Sequence, residues 1–284
     1  MTESLLELAS GDAILGVSTN GAEALRWRVG PDEILWRADP SVWGQTAPVL
    51  FPIVGWTAAG VRHRGQVYPL GLHGFAAARA FRLVDRAADF LRLRLEDDAQ
   101  TRALYPFAFR FDVVYRLSAR ALECSLEVCN TGAEALPYAA GLHPGFRFDW
   151  NAPAGFVFEK EERASVPIIA PGGLFSAERR PVPLEGRTLA LDADLMRQEA
   201  LCFLDVASRS TELTNGGRRL RFDFADFPHI ALWARPPAPY LCVEAWTGYG
   251  DPVGFAGDIA EKPSMRALPP GGFARHTARF AVLS

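Results

Sequence analysis

The sequence predicts an all-β protein, a sandwich or a barrel, and three observations predict it. Apolar residues alternate with polar ones at period two in segment after segment, turn residues separate these short segments, and helical periodicity is scarce. Taken in order, the first dozen residues read as a short helix. In Phe90-Leu91-Arg92-Leu93-Arg94-Leu95, leucine alternates with arginine, giving one apolar and one wet face. Phe109, Phe111, Val113, Tyr115 and Leu117 then share a face, and Leu122, Cys124, Leu126 and Val128 repeat the device before a turn at Asn130-Thr131-Gly132. Asp192 to Ala200 reads as a short helix capped by an aspartate. Thr214-Asn215-Gly216-Gly217 is a strong hairpin signal, followed by alternating Leu220, Phe222 and Phe224. Ala278, Phe280 and Val282 close the chain in the same rhythm.

Composition narrows the function. The 284 residues are 49% hydrophobic and 22% charged, which excludes intrinsic disorder. No Pro/Gly/Ser-rich linker and no fixed-period repeat divides the chain, so one domain over 1–284 is expected. Thirty basic against 33 acidic residues leave a net charge of −3, without the basic excess that nucleic-acid binding requires. Lys160 and Lys262 are the only lysines, and the arginines are scattered along wet strand faces. No window approaches the roughly 18 apolar residues of a membrane span. Glu3 and Glu7 stand where a signal peptide would be basic, and the four cysteines form no CxxC pair. A cytoplasmic protein with reduced thiols, binding neither nucleic acid nor membrane, is the expectation.

Several chemistries are absent. There is no HExxH, no GxSxG elbow and no P-loop, and the five histidines are far apart in sequence, so nothing favours a metal. Gly248-Tyr249-Gly250 with Gly254 misses the dinucleotide fingerprint by one position and lies outside any βαβ context.

Polar residues interrupt apolar sequence in three places. In Tyr68-Pro69-Leu70-Gly71-Leu72-His73-Gly74-Phe75, glycines flank His73 and let a ligand approach the backbone closely; a turn histidine beside a strand explains the pattern equally well. In Gly141-Leu142-His143-Pro144-Gly145, the following proline forces His143 into extended geometry among small and apolar neighbours. Such a histidine is either satisfied by a backbone carbonyl or held for proton transfer. In Tyr240-Leu241-Cys242-Val243-Glu244-Ala245-Trp246, a strand puts Leu241, Val243 and Ala245 on one face and Cys242, Glu244 and Trp246 on the other. A carboxylate there is costly unless paired or functional. A buried Glu–Arg ion pair competes with a catalytic carboxylate, and Trp246 is the residue type that stacks on the C–H face of a sugar.

Together the segments Leu50–Gly55, Tyr68–Ala76, Gly141–Phe148 and Leu241–Asp251 resemble, in order and separation, the aldose 1-epimerase (mutarotase) family and its LacX-like branch. The resemblance implies a large antiparallel β-sandwich of the galactose mutarotase-like supersandwich type. It implies a cofactor-free isomerase, monomeric or homodimeric, that interconverts the α and β anomers of a free aldose. Carried over, Glu244 is the general base, His143 the general acid and His73 a substrate-contacting histidine. Acid and base are expected on opposite sides of the pyranose, with Glu244 raising the His143 pKa above about 6.5. Trp56 stands where the family often has arginine, so Arg62 is expected to hold sugar hydroxyls in its place. Ala245 replaces the proline that usually follows the glutamate, and Asp192, or Asp194, is expected to be the sugar-binding aspartate. A hexose-6-phosphate 1-epimerase using Arg62, Arg64 and Arg79, and a non-catalytic carbohydrate-binding protein of the same fold, are the alternatives. A glycoside hydrolase is disfavoured because only one carboxylate sits in a marked motif.

Overall fold

The structure is a computed structural model describing residues 4–283; Met1–Glu3, including the Glu3 of the leader reading, and Ser284 lie outside the described residues. Among the described residues, two large antiparallel sheets dominate. The larger has ten strands in the order Leu184–Glu185, Thr188–Ala190, Ala154–Phe158, Ser210–Asn215, Arg218–Asp223, Phe273–Val282, Ala121–Asn130, Phe109–Ser118, Phe90–Glu96 and Arg82–Arg86. The second runs Leu201–Phe203, His229–Trp233, Tyr240–Trp246, Gly141–Leu142 and Val49–Leu50, with Gly145–Arg147 also paired to Tyr240–Trp246.

The inward faces of the two sheets share one core. Phe109, Phe111, Val113 and Tyr115 of the larger sheet join the same buried cluster as Ile230, Leu232, Leu241, Val243 and Ala245 of the smaller. The large-sheet alternation expected from the sequence is present over every segment named for it, and the hairpin turns at Gly216-Gly217. On the outer face of the large sheet, Asp112 accepts from Arg92 and Arg94, and Glu127 from Arg92 and Arg275. Burial opposes ionisation of both carboxyls, but the hydrogen bonds from these arginines hold them below their ordinary values. The arginines of the alternating strands thus serve as cross-strand partners.

Among the described residues, the helix expected over the first dozen residues is not formed. Leu5–Ser10 is a strand that pairs with Ala13–Ser18 across a turn at Gly11, whose φ is +57°. Leu8 and Leu15 are thereby buried against the core, and long-range pairing overrides the local helical pattern. The second helix is present as Ala193–Gln198.

The segment that leads into Val49–Leu50, the edge strand of the smaller sheet, is held by one carboxylate. Glu23 Oε1 accepts the backbone N–H groups of Thr46 and Ala47, at 2.6 and 2.9 Å. The carbonyls of Thr46 and Pro48 then accept from Gly145 N–H and His143 N–H, at 2.8 and 3.1 Å. Glu23→Ala would leave two enclosed N–H donors without their acceptor. It is expected to cost about 2–4 kcal/mol in urea denaturation; a loss below about 0.5 kcal/mol would mean that water replaces the carboxylate.

Candidate functional site

The strand Tyr240–Trp246 is buried along its whole length, so both of its faces are covered. Leu241, Val243 and Ala245 enter the core between the sheets, which turns Cys242, Glu244 and Trp246 to the opposite side. In register, Ala231 lies opposite Glu244, and Cys202 opposite Ala231. Small side chains therefore flank the carboxylate, and the space they leave belongs to a cavity of about 600 Å³. Its lining includes Trp43, His73, His143, Trp233, Glu244 and Trp246.

Glu244 is 2% exposed, and its partners answer the burial. Trp246 Nε1 donates to Oε2 at 3.0 Å, and His143 Nε2 lies 3.2 Å from Oε1. No arginine pairs with it among the described residues, so the structural Glu–Arg reading fails. Burial raises the Glu244 pKa well above the carboxylate range, with the Trp246 hydrogen bond opposing. Burial likewise lowers His143 to about 4. The expectation that Glu244 would raise His143 is thus reversed: in this enclosed site loss of hydration outweighs attraction to the partner, and the uncharged forms are favoured.

His143 is held by its backbone and by rings. Trp43 lies at 5.2 Å between centroids, His73 at 5.5 Å and Trp233 at 5.7 Å, while Nδ1 has no hydrogen-bond partner among the described residues. Gly145 permits this packing, since a Cβ there would stand 2.7 Å from the Trp43 ring.

His73 is in the left-handed region at φ +59°, uncommon for a residue with a side chain. Gly55 compensates on both sides: its carbonyl accepts His73 N–H at 3.0 Å and its N–H donates to His73 Nδ1 at 3.1 Å. Nδ1 is thereby an acceptor, and the neutral ring carries its proton on Nε2. Desolvation, reinforced by His143, holds His73 well below its usual pKa. The turn is possible because Gly74 follows at φ +76°, where a Cβ would meet Phe51 O at 2.3 Å.

Glu244, His143, His73 and Trp246 are therefore brought together, and two other sequence-derived residues are not. Arg62 lies on the hairpin strand Val61–His63 and is not among the cavity-lining residues. Asp192 caps the helix Ala193–Gln198, its Oδ1 accepting from Leu195 N–H at 2.7 Å, and it too lies outside the cavity lining. The N-cap pattern visible in the sequence accounts for it fully; Asp194 is paired with Arg197. Arg64 and Arg79, the other arginines of the phosphorylated-sugar alternative, bond Glu134 and Gln100 instead.

The sequence reading missed Trp43, Gln45, Glu199, Trp233 and Arg235, which also line the cavity. Glu199 is a second cavity carboxylate, with Oε2 accepting Ile169 N–H at 3.1 Å and Oε1 lying 3.3 Å from Arg180 Nε. Trp233 has the same alternation as Ala231, but only the pairing with Tyr240–Trp246 reveals that its face is that of Glu244. A larger hollow of about 970 Å³, lined in part by Arg147, Trp150 and Arg218, contains none of the histidines.

The molecule is thus an antiparallel sandwich with a histidine–carboxylate pair in an aromatic-walled cavity. The aldose 1-epimerase family model matches residues 4–164. The chromosomal and plasmid LacX proteins of Lactococcus lactis are each 30% identical, over 84% of this chain and 85% of the relative. The chain belongs to the aldose 1-epimerase family. A galactose mutarotase related enzyme from Lactobacillus acidophilus superposes with a TM-score of 0.92 at 27% identity, covering 99% of this chain and 98% of that one. The galactose 1-epimerase of Lactobacillus acidophilus NCFM, at 13% identity and a TM-score of 0.74 over 100% and 99% of the two chains, shares the fold. Among the described residues no helix is long and apolar enough to cross a membrane.

Burial lowers His229 and His276, like His143, to about 4. Between pH 6.5 and 4 the unfolded chain binds more protons at each, so stability present at neutral pH is lost as pH falls through this window. Each histidine contributes up to about 1.4 kcal/mol per pH unit. His73, held well below its usual value, acts with the same sign, and Glu244 acts with the opposite one, one group against four. The urea midpoint is expected to drop steadily from pH 6.5 to 4.5; a flat midpoint would show that the histidines are not held neutral.

Proposed function

We propose that the protein is an aldose 1-epimerase acting on a free aldose, with Glu244 as the general base and His143 as the general acid. The observation that carries this reading is the 3.2 Å separation of His143 Nε2 and Glu244 Oε1 at the cavity wall. The anomeric carbon bears both oxygens that must exchange protons, the C1 hydroxyl and the ring oxygen. Two groups side by side suit two oxygens on one carbon better than the opposed arrangement expected from the sequence. Glu244 takes the C1 hydroxyl proton while His143 delivers one to the ring oxygen; the ring opens to the aldehyde, C1–C2 rotates, and closure on the other carbonyl face returns both protons. The pair works with one proton between its members, and burial favours the uncharged state reached on ring opening. Trp246 orients the carboxylate, and His73 offers an Nε2–H donor to a sugar hydroxyl. Trp43 and Trp233 supply apolar walls for the C–H faces of the ring.

The test is NMR exchange or polarimetry on freshly dissolved α-D-glucose and α-D-galactose, with arabinose, fucose and glucose 6-phosphate alongside. Anomer exchange is expected to accelerate, and Glu244→Gln and His143→Asn are each expected to lower kcat by about 10²–10⁴-fold with sugar binding retained. Saturable binding without acceleration would make the protein a carbohydrate-binding member of the family. Neither binding nor acceleration would limit the resemblance to the fold.

The rate should also have a displaced acid limb. With His143 at about 4, the pair gains its second, inhibitory proton only near that pH, so kcat/KM is expected to hold from pH 7 to 5 and fall towards pH 4. A limb near 6.5, the value of a free histidine, would contradict the desolvated pair.

A further inference from the structure

The residues that follow the catalytic strand contain an ion pair that the reaction does not use. Asp251 and Lys262 are each 3% exposed, and Lys262 Nζ lies 3.1 Å from Asp251 Oδ1. The ammonium has no hydrogen-bond partner of its own among the described residues, so Asp251 alone answers its charge. The carboxylate points in a second direction as well: Oδ2 accepts Ala58 N–H at 2.9 Å, and Asp251 N–H donates to Trp56 O at 2.8 Å. These bonds grip both sides of the segment that begins at Gly55, the residue clamping His73. Packing leaves no slack, since a Cβ at Gly55 would stand 2.6 Å from Gly250 Cα. A continuous chain of contacts therefore runs from Lys262 through Asp251 and residues 55–58 to the His73 ring.

We propose that the buried Asp251–Lys262 pair is a positioning device that fixes segment 55–58, and through Gly55 the orientation and Nε2–H tautomer of His73, for binding sugar hydroxyls. Asp251 and Lys262 are positioning residues and touch no substrate. The proposal rests on the reading of the cavity as a sugar site, but its structural half is measurable without sugar.

The Lys262 charge explains why Asp251 is held at this spot. A neutral acceptor would also satisfy Ala58 N–H, but the ammonium anchors the carboxylate to the segment after the Ile259–Glu261 turn. Removing one partner strands a buried charge, whereas removing both does not. This separates positioning from stability. Asp251→Leu/Lys262→Met strands no charge but removes the Ala58 acceptor. Asp251→Asn/Lys262→Met also strands none and keeps an amide oxygen in the acceptor's place.

The experiment is long-range ¹H–¹⁵N NMR of the histidine rings in the free protein, with KM and kcat for the best sugar. Asp251→Leu/Lys262→Met is expected to lose the single Nε2–H signature of His73 and to raise KM by about tenfold, the worth of one hydrogen bond, with kcat retained. Asp251→Asn/Lys262→Met is expected to restore both. Should the first variant fail to fold, Asp251→Ala/Lys262→Met, which likewise lacks the acceptor and strands no charge, carries the same expectation. A wild-type His73 signature with unchanged KM in the variant lacking the acceptor would overturn the proposal. A changed signature in a protein that turns over no sugar would uphold the positioning chain and count against the epimerase reading alone.

Discussion

A carboxylate taken out of water on a strand buried on both faces is the constraint around which this protein is organised. Glu244 sits in a strand whose alternate residues complete the core between two sheets, so it cannot rotate away to solvent without removing Leu241, Val243 and Ala245 from that core. Its burial must be answered locally, by the Trp246 indole and the His143 imidazole. The same desolvation that makes the position expensive favours proton exchange over permanent ionisation. The group thus lies beside the open space of the cavity with an indole and an imidazole, and no arginine among the described residues, as its partners.

The remaining site geometry is built from backbone hydrogen bonds more than from side-chain networks. His143 takes its position from carbonyls of the segment that Glu23 secures, and the rings of Trp43 and Trp233 limit its rotation. His73 takes its tautomer from Gly55 and its turn from Gly74. Both histidines therefore depend on residues distant in sequence and without chemistry of their own. Stabilising a left-handed histidine by two bonds from one glycine is the kind of local strain that persists where surrounding structure over-determines it.

Period-two alternation was a dependable guide to strands because each one has a face turned to the same core. It failed at the N-terminus, where Leu5–Ser10 pairs with Ala13–Ser18 and tertiary pairing replaces the helix suggested locally. Among the candidate residues, Glu244, His143 and His73 were legible because each interrupts an apolar or glycine-rich run and falls in a segment that carries the family resemblance. Arg62 and Asp192 were chosen for residue type and nearness, and the structure puts one on a separate hairpin and uses the other as a helix cap. Trp43, Glu199 and Trp233 carried no local mark, since ordinary aromatic and acidic residues become cavity walls only through register.

The sequence by itself determined the all-β class, the two-faced character of the Tyr240–Trp246 strand and the chemical identity of its unusual carboxylate, because side-chain alternation and residue type are local properties. Only the tertiary structure decided that His143 stands 3.2 Å from Glu244, that both are pushed towards their uncharged forms, and that His73 is a neutral donor. Those outcomes depend on hydration lost and on partners gained across gaps of up to about a hundred residues. Neither quantity exists until the sheets close over the site.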